Sequence, residues 1–359
     1  MAVVIVKYGS IVENIHTVNE LMKLYGKDWS LVVKVLGGNH KILQRLIKEP
    51  IIDDIHSIAS SYWQELQDIR KLKENVRTMS IKPTFGATAN RVVGNADVSL
   101  DSAIESIVKL NVAAKQIKTK HKIIVMIELG DLREGLRREG LIPFYDSIAS
   151  LPNIDLIGMG ANIGCMFGDL PTYDKLLQLV IYAQLIETRY NHTLETISGG
   201  TSITLPLLAK GQVPPGINHF RIGEAVFLGT SPYDNKPFMD LHEDGFMLEA
   251  NILEIFRRES LPKTKWNYLP KSQRDRDNEG EGGSYKALVD FGLIDVNPKY
   301  LTPCDESITL YGSSSDLSVY DCGVNSSNYK VGDTISFRMK YMGLAQLMNS
   351  KHIDVRIMD

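Results

Sequence analysis

Short runs rich in Val, Ile and Leu recur through the first two thirds of the chain, each followed by a segment with helical spacing. That alternation limits the fold more than any other feature. The runs are Leu31–Leu36, Ile51–Ile55, Val76–Ile81, Ala96–Leu100, Lys122–Glu128, Ile154–Met159, Leu194–Ile197 and His219–Ile222. Apolar runs this short, bounded by turn residues, read as strands buried on both faces of a parallel sheet. Ser10-Ile-Val-Glu13 reads as a capping box opening a helix through Ile11, Ile15, Val18, Leu21 and Met22, closed by Gly26. Asn39 is placed to cap a second helix, through Ile42, Leu43, Leu46 and Ile47, that Pro50 stops. Leu100–Leu110 and Tyr173–Thr188 carry the same helical pattern. The alternation predicts an α/β fold, a closed (β/α)8 TIM barrel rather than an open sheet.

Beyond Gly229 the texture changes. Phe246–Phe256, Lys286–Phe291, Ser307–Leu310, Leu317–Tyr320 and Thr334–Met339 are short β-like runs with Pro and Gly between them, which predicts a C-terminal β-rich domain. The expected organisation is a barrel over 10–229 and a β domain over 230–359, joined by the N-terminal strand of residues 1–9. Pro262–Gly283 mixes Lys, Arg, Asp, Glu and Gly and reads as a long solvated loop.

Composition sets the class. A chain of 359 residues with net charge -3 and 43% hydrophobic content is a soluble globular protein without the basic surplus that nucleic acid requires. Its longest apolar runs, such as Leu177–Ile186, fall short of the roughly 20 residues of a membrane span. Met1–Ser10 lacks the pattern of a secretory signal. Cys165, Cys304 and Cys322 are odd in number and have no metal or redox spacing, so a reducing cytoplasm is the expected location.

Lys34 sits at the end of the first barrel run, where an ammonium must be paired, reach solvent or react. Desolvation lowers a lysine's pKa and frees the amine for Schiff-base chemistry, although a lysine at a strand tip can also extend to water. Barrel geometry sharpens the choice. The first strand closes against the eighth, and active sites lie at the strands' C-terminal ends, so Lys34 and Arg221 should be neighbours. Ser198-Gly-Gly-Thr-Ser202 and Arg221-Ile-Gly-Glu-Ala225 follow the seventh and eighth strands, where barrels hold phosphate. An amine, a phosphate cradle and an arginine on one rim suit pyridoxal 5'-phosphate: Schiff base at Lys34, phosphate at Ser198–Thr201 and Gly223, Arg221 facing the pyridine nitrogen.

The order of motifs resembles a family. Val32-Val-Lys34-Val, Glu128-Leu-Gly-Asp-Leu-Arg133-Glu-Gly135, Gly158-Met-Gly-Ala-Asn162-Ile-Gly-Cys165, Ser198-Gly-Gly and Arg221-Ile-Gly-Glu-Ala are similar to segments of fold-type III pyridoxal-phosphate racemases of alanine racemase type. Val296-Asn-Pro298 and Ser313-Ser-Ser-Asp316 resemble the ornithine racemase-like branch. The resemblance implies racemisation of a free amino acid, preferentially a basic one such as ornithine, with alanine an alternative. It implies cofactor contacts from Lys34, Asn162, Ser198, Gly199, Gly200, Thr201, Arg221, Ile222 and Gly223, and a substrate-orienting role for Arg133. It also implies a head-to-tail homodimer in which each barrel is completed by the partner's β domain.

Inversion needs an acid/base on each face of the substrate: Lys34 on one, and in the family a tyrosine from the partner on the other. Tyr268 lies nearest in order, with Tyr285 and Tyr341 as rivals. The sequence departs from the family after the lysine, where Val35-Leu-Gly-Gly-Asn39 lacks the tyrosine that helps hold the phosphate. Two other readings share the barrel: an amino acid decarboxylase, for which Cys304-Asp305 is out of order, and a non-enzymatic cofactor carrier, which resembles the barrel alone. Glu224, Asp290, Asp295 and Asp316 are the acidic groups that could meet a basic substrate.

Overall fold

The computed structural model describes residues 1–166, 169–258 and 283–359. It divides into two compact units, Ser10–Glu243 and Met1–Gly9 with Asp244–Asp359. After β1 (Val3–Lys7) and α1 (Tyr8–Leu24) come β2 (Asp28–Val32), α2 (His40–Leu46), β3 (Ser57–Ser60), α3 (Trp63–Leu72), β4 (Thr78–Ser80), α4 (Ala89–Asn95), β5 (Val98–Asp101) and α5 (Ile104–Gln116). The chain continues through β6 (His121–Glu128), α6 (Leu141–Ile148), β7 (Ile154–Asn162), α7 (Tyr173–Tyr190), β8 (Thr196–Thr201), α8 (Leu205–Ala209), β9 (His219–Ile222) and α9 (Glu224–Leu228). Strands β2 to β9 pair in chain order as a closed parallel barrel, with β9 returning to β2 so that Ser30 lies opposite Arg221 and Leu31 opposite Ile222.

The interior of this barrel is mixed. Val32, Ala59, Met79, Val98, Leu100, Ile124, Met126 and Ile157 form one buried apolar cluster. Burying each large aliphatic chain contributes about 1.5–3 kcal/mol relative to leaving it in water. Ser30, Ser57, Ser99, His121, Ser198 and His219 are also buried. Such groups are tolerated inside only when hydrogen-bonded, and each has a partner.

Several expectations need correction. Ile51–Ile55 is not a strand: Pro50 opens a 3-10 turn, Pro50–Asp54, and the strand is the following Ser57–Ser60. The first helix starts at Tyr8, because β1 runs directly into it; Ser10 therefore lies in the first turn instead of capping it. Asn39 does cap α2, its side chain accepting from the Ile42 N–H at 3.2 Å. Residues 230–243, expected in the β domain, pack with the barrel unit, where β10 (Thr230–Ser231) pairs antiparallel with β11 (Lys236–Pro237). The Asn14 side chain ties them there: it donates to the carbonyls of Val226 and His242, each at 2.9 Å, and accepts from the His242 N–H at 2.7 Å.

In the second unit β12 (Phe246–Arg258) pairs antiparallel with β1, with β13 (Ser284–Val289) and with β17 (Thr334–Met339). The sheet continues through β14 (Leu301–Pro303), β15 (Thr309–Ser313), β16 (Ser318–Asp321) and β18 (Asp354–Met358). Phe291, Tyr320 and Phe337 form its aromatic centre, with ring centroids of the last two 5.0 Å apart. Among the described residues no helix is long and apolar enough to cross a membrane.

Candidate active site

Lys34 leads from the first barrel strand. The expected strand Leu31–Leu36 ends early, at Val32, and Lys34–Leu36 is a 3-10 turn. Gly37 and Gly38, with φ of +57° and +69°, need left-handed backbone that ends the extension and turns the chain toward α2. Lys34 is thereby delivered to the C-terminal rim, half-buried. Burial lowers its pKa and Arg133 adds to the effect, while Cys165, Glu134 and Glu224 oppose it. Glu224, the first residue of α9, is itself pushed up by burial to about 7, with Lys34 pulling the other way.

Arg133 stands on a loop that leaves β6 and returns to it. The Leu136 N–H donates to the Met126 carbonyl at 2.8 Å, and the Glu128 N–H to the Leu136 carbonyl at 2.9 Å. Gly135 makes the return possible: its φ is +122°, and a Cβ there would lie 2.6 Å from the Glu128 nitrogen. Asp131 fastens the loop to the next one by accepting from the N–H groups of Cys165 and Met166, at 2.7 and 3.2 Å. Arg133 grips Glu134 with two nitrogens, Nη2 at 2.8 Å, and lies 3.5 Å from Asp131. Its pKa is raised above the usual guanidinium value, chiefly by the Glu134 hydrogen bond.

Glu134 also accepts from Asn162 Nδ2, at the end of β7. Asn162 Oδ1 accepts from Arg221 Nη2 at 2.8 Å, and the same Nη2 donates to the Ala161 carbonyl at 2.8 Å. Arg221 Nη1 donates to Ser198 Oγ. Arg133, Glu134, Asn162, Arg221 and Ser198 are therefore one connected network across β6, β7, β8 and β9. Arg221 is buried, and that burial lowers its guanidinium to about 10.

The glycines lie beside this network, but Ser198–Thr201, expected as a loop after the strand, belongs to β8, and only Gly223 follows its strand. Gly199, Gly200 and Gly223 have no room for a side chain: an added Cβ would come within 2.5 Å of Ile217, 2.6 Å of Thr204 Oγ1 and 2.8 Å of the Val32 carbonyl. Ser202 Oγ accepts from the N–H groups of Gly223 and Ala225, at 3.3 and 3.2 Å, and so joins the two segments. Thr201 lies opposite Arg221 in the β8–β9 pairing, and the Ile222 side chain is buried. The Ser198 hydroxyl, expected with the phosphate, is buried and engaged with Arg221 and His219, and Ser202 is buried as well.

Sequence reasoning left two neighbours without a role. Glu134 entered only as the motif residue after Arg133, yet it reaches Arg221 through Asn162. His219 was read only as the start of a strand. Its signal was present: it lies two residues before Arg221, hence on the same side of β9. Tyr268 lies outside the described residues. Tyr285 is in β13 and Tyr341 begins the helix Tyr341–Leu347, both in the second unit.

Residues 6–231 match the family model described as alanine racemase, N-terminal domain. The chain is 30% identical over 350 residues to the ornithine racemase of Acetoanaerobium sticklandii, covering 96% of both proteins. It is 32% identical over 246 residues to the lysine racemase of Thermotoga maritima, covering 68% of each. The solved alanine racemase of Bartonella henselae, with covalently bound pyridoxal phosphate, superposes with a TM-score of 0.73, covering 99% of both chains. At 13% identity that last likeness establishes the fold.

Proposed function

Because this chain belongs to the alanine racemase family, we propose that it is a pyridoxal 5'-phosphate-dependent racemase of a free basic amino acid. The observation that carries the reading is the placement of a pKa-lowered lysine on the same rim as a buried, donor-only arginine and two glycine segments. The preference for a basic substrate rests on the relatives named for ornithine and lysine.

The residues fit the cofactor. Gly199, Gly200, Gly223 and the Thr201 and Ser202 hydroxyls would take its phosphate, Lys34 its aldehyde and Arg221 its ring nitrogen, with Asn162 holding Arg221 in place. When bound, the cofactor supplies an electron-withdrawing ring that makes the substrate's Cα proton removable. Lys34, its amine freed by burial, accepts or returns that proton on one face. Arg133 directs its guanidinium at the substrate carboxylate, steadied by Glu134. Arg221 at about 10 stays charged at neutral pH, so it holds the ring nitrogen by a hydrogen bond without giving up its proton. Tyr268 is the acid/base we assign to the other face, and a cytoplasmic homodimer is the working form.

The test is to load the purified chain with pyridoxal 5'-phosphate and incubate it with L-ornithine, L-lysine, L-arginine, L-alanine and L-serine, separating enantiomers by chiral chromatography. Racemisation of a basic substrate is expected, with loss of activity in Lys34→Ala. Borohydride reduction followed by peptide mass analysis should find the cofactor on Lys34. Cofactor bound elsewhere, or turnover unaffected by Lys34→Ala, would refute the assignment; sedimentation measures the dimer.

A further inference from the structure

The Arg221 network does not stop at Ser198. Ser198 Oγ lies 2.9 Å from His219 Nδ1, and His219 Nε2 lies 2.9 Å from Ser30 Oγ. Ser30 Oγ is 2.6 Å from Ser57 Oγ, which is 3.3 Å from His56 Nδ1. His56 Nε2 is 2.9 Å from Arg77 Nη1. The strand pairing makes this column: Ser198 is opposite His219, Ser30 is opposite both Ser57 and Arg221. It runs through the barrel from the rim that carries Arg221 to Arg77, just before β4, where Arg77, His56 and Lys122 line a cleft of about 370 Å³.

Donor counting assigns the hydrogens. A guanidinium has donors only, so Ser198 Oγ accepts from Arg221 and His56 Nε2 accepts from Arg77. A neutral His56 then carries its proton on Nδ1 and gives it to Ser57. Both ends send hydrogens inward, and the groups between must absorb one more than their mutual contacts use. One arrangement gives every hydrogen an acceptor. Ser57 donates to Ser30, Ser30 turns its hydrogen to Met79 Sδ at 3.9 Å, and Ser30 Oγ accepts from the His219 Nε2–H. His219 Nδ1 then keeps its lone pair and takes the Ser198 hydrogen. The other tautomer aims two donors at Ser198 and leaves the Ser198 hydrogen without an acceptor in the column.

We propose that His219 is the positioning residue for Arg221: fixed as its Nε2–H tautomer by Ser30, it draws the Ser198 hydrogen and turns the Ser198 oxygen into the acceptor that holds the guanidinium. Burial keeps the imidazole well below its ordinary pKa, and His56 and Arg221 add to that, so it is neutral at pH 7. What Arg221 does rests on the racemase reading; how it is held does not.

The experiment has two arms. In the cofactor-free chain labelled with 15N-histidine, the His219 signals, assigned by their loss in His219→Asn, should show a protonated Nε2 and an unprotonated Nδ1 at pH 7. A protonated Nδ1, a mixture of tautomers or an imidazolium would overturn the proposal, whatever the enzyme does. In the loaded enzyme His219→Phe, which cannot accept from Ser198, should lower kcat at least about tenfold with little change in KM. His219→Asn offers an acceptor near the Nδ1 position and should recover most of that loss. Equal kcat in the two variants, both folded by circular dichroism, would refute the positioning role. Wild-type enzyme without racemase activity would sink the functional reading and leave the labelled arm to decide the tautomer.

Discussion

Replacing Glu224 by Gln should stabilise the cofactor-free chain at pH 8 and leave it unchanged near pH 4. Burial lifts this carboxyl from 4.5 to about 7. Between those values the folded chain keeps a proton that the unfolded chain releases. Unfolding free energy therefore falls as pH rises, by about 1.4 kcal/mol per unit. The contribution is fully present below 4.5, is lost as pH climbs through 7, and is flat above that. The interval from 4.5 to about 7 is 2.5 units, so the full loss is on the order of 3 kcal/mol. Gln has no proton to release and lacks the slope. Lys34 acts in the opposite sense, since its lowered pKa relieves a buried charge as the solution becomes alkaline, and both chains share most of that term. The assay is the urea midpoint at pH 4, 6 and 8, followed by circular dichroism. Parallel stability curves for the two chains would refute the reasoning, because they would mean that Glu224 ionises as freely folded as unfolded.

Three further outcomes follow from the site. Gly223→Ala places a methyl 2.8 Å from the Val32 carbonyl, backbone that cannot rotate away; overpacking of this kind costs about 1–3 kcal/mol, and cofactor absorbance should fall on dialysis. Asn162→Ala removes the bridge between Glu134 and Arg221, so urea denaturation should show a loss of about 2–3 kcal/mol. Arg221→Lys keeps the charge but cannot reach Ser198, Ala161 and Asn162 together; kcat by chiral chromatography should drop at least about tenfold.

The barrel was legible because its strands recur at regular intervals, and Thr334–Met339 and His219–Ile222 were read to the residue. The misplaced second barrel strand has a physical source. Apolar density was used to find strands, but this barrel is partly lined with hydroxyls. Ser57-Ile-Ala-Ser60 is a strand with little hydrophobic signature, so the richer Ile51–Ile55 beside it drew the assignment. Lys34 stood out because a charge at the end of an apolar run is anomalous, Arg221 because barrel closure sets it beside Lys34, and Arg133 only through the resemblance of the motif around it. The groups that hold them, Glu134 and His219, were hidden because a carboxylate beside an arginine and a histidine in a strand are ordinary until the register is known. Leu301–Pro303 is a short edge segment, and Asp354–Met358 sets Asp354 and Arg356 among its apolar residues, so neither has the apolar run that marked the other strands.

The polar column is not explained by stability, since satisfied buried networks can often be replaced by apolar groups at little cost. A second polar group in the same barrel makes the contrast. Asp101 accepts from the Thr84 N–H at 2.7 Å, from Thr84 Oγ1 at 3.1 Å and from Ser99 Oγ at 2.7 Å, and Ser99 in turn meets His121 Nε2 at 2.9 Å. Burial raises the Asp101 pKa, and these three donors hold it down. With its hydrogen given to Asp101, Ser99 can only accept, which fixes His121 as an Nε2–H donor. That cluster anchors the loop after β4 to β5 and β6 and, among the described residues, makes no hydrogen bond to Arg221. The His219 column ends on the guanidinium itself. Two imidazoles buried in one barrel therefore do different work: His121 closes a loop anchor, whereas His219 sets the acceptor strength of the oxygen that Arg221 depends on.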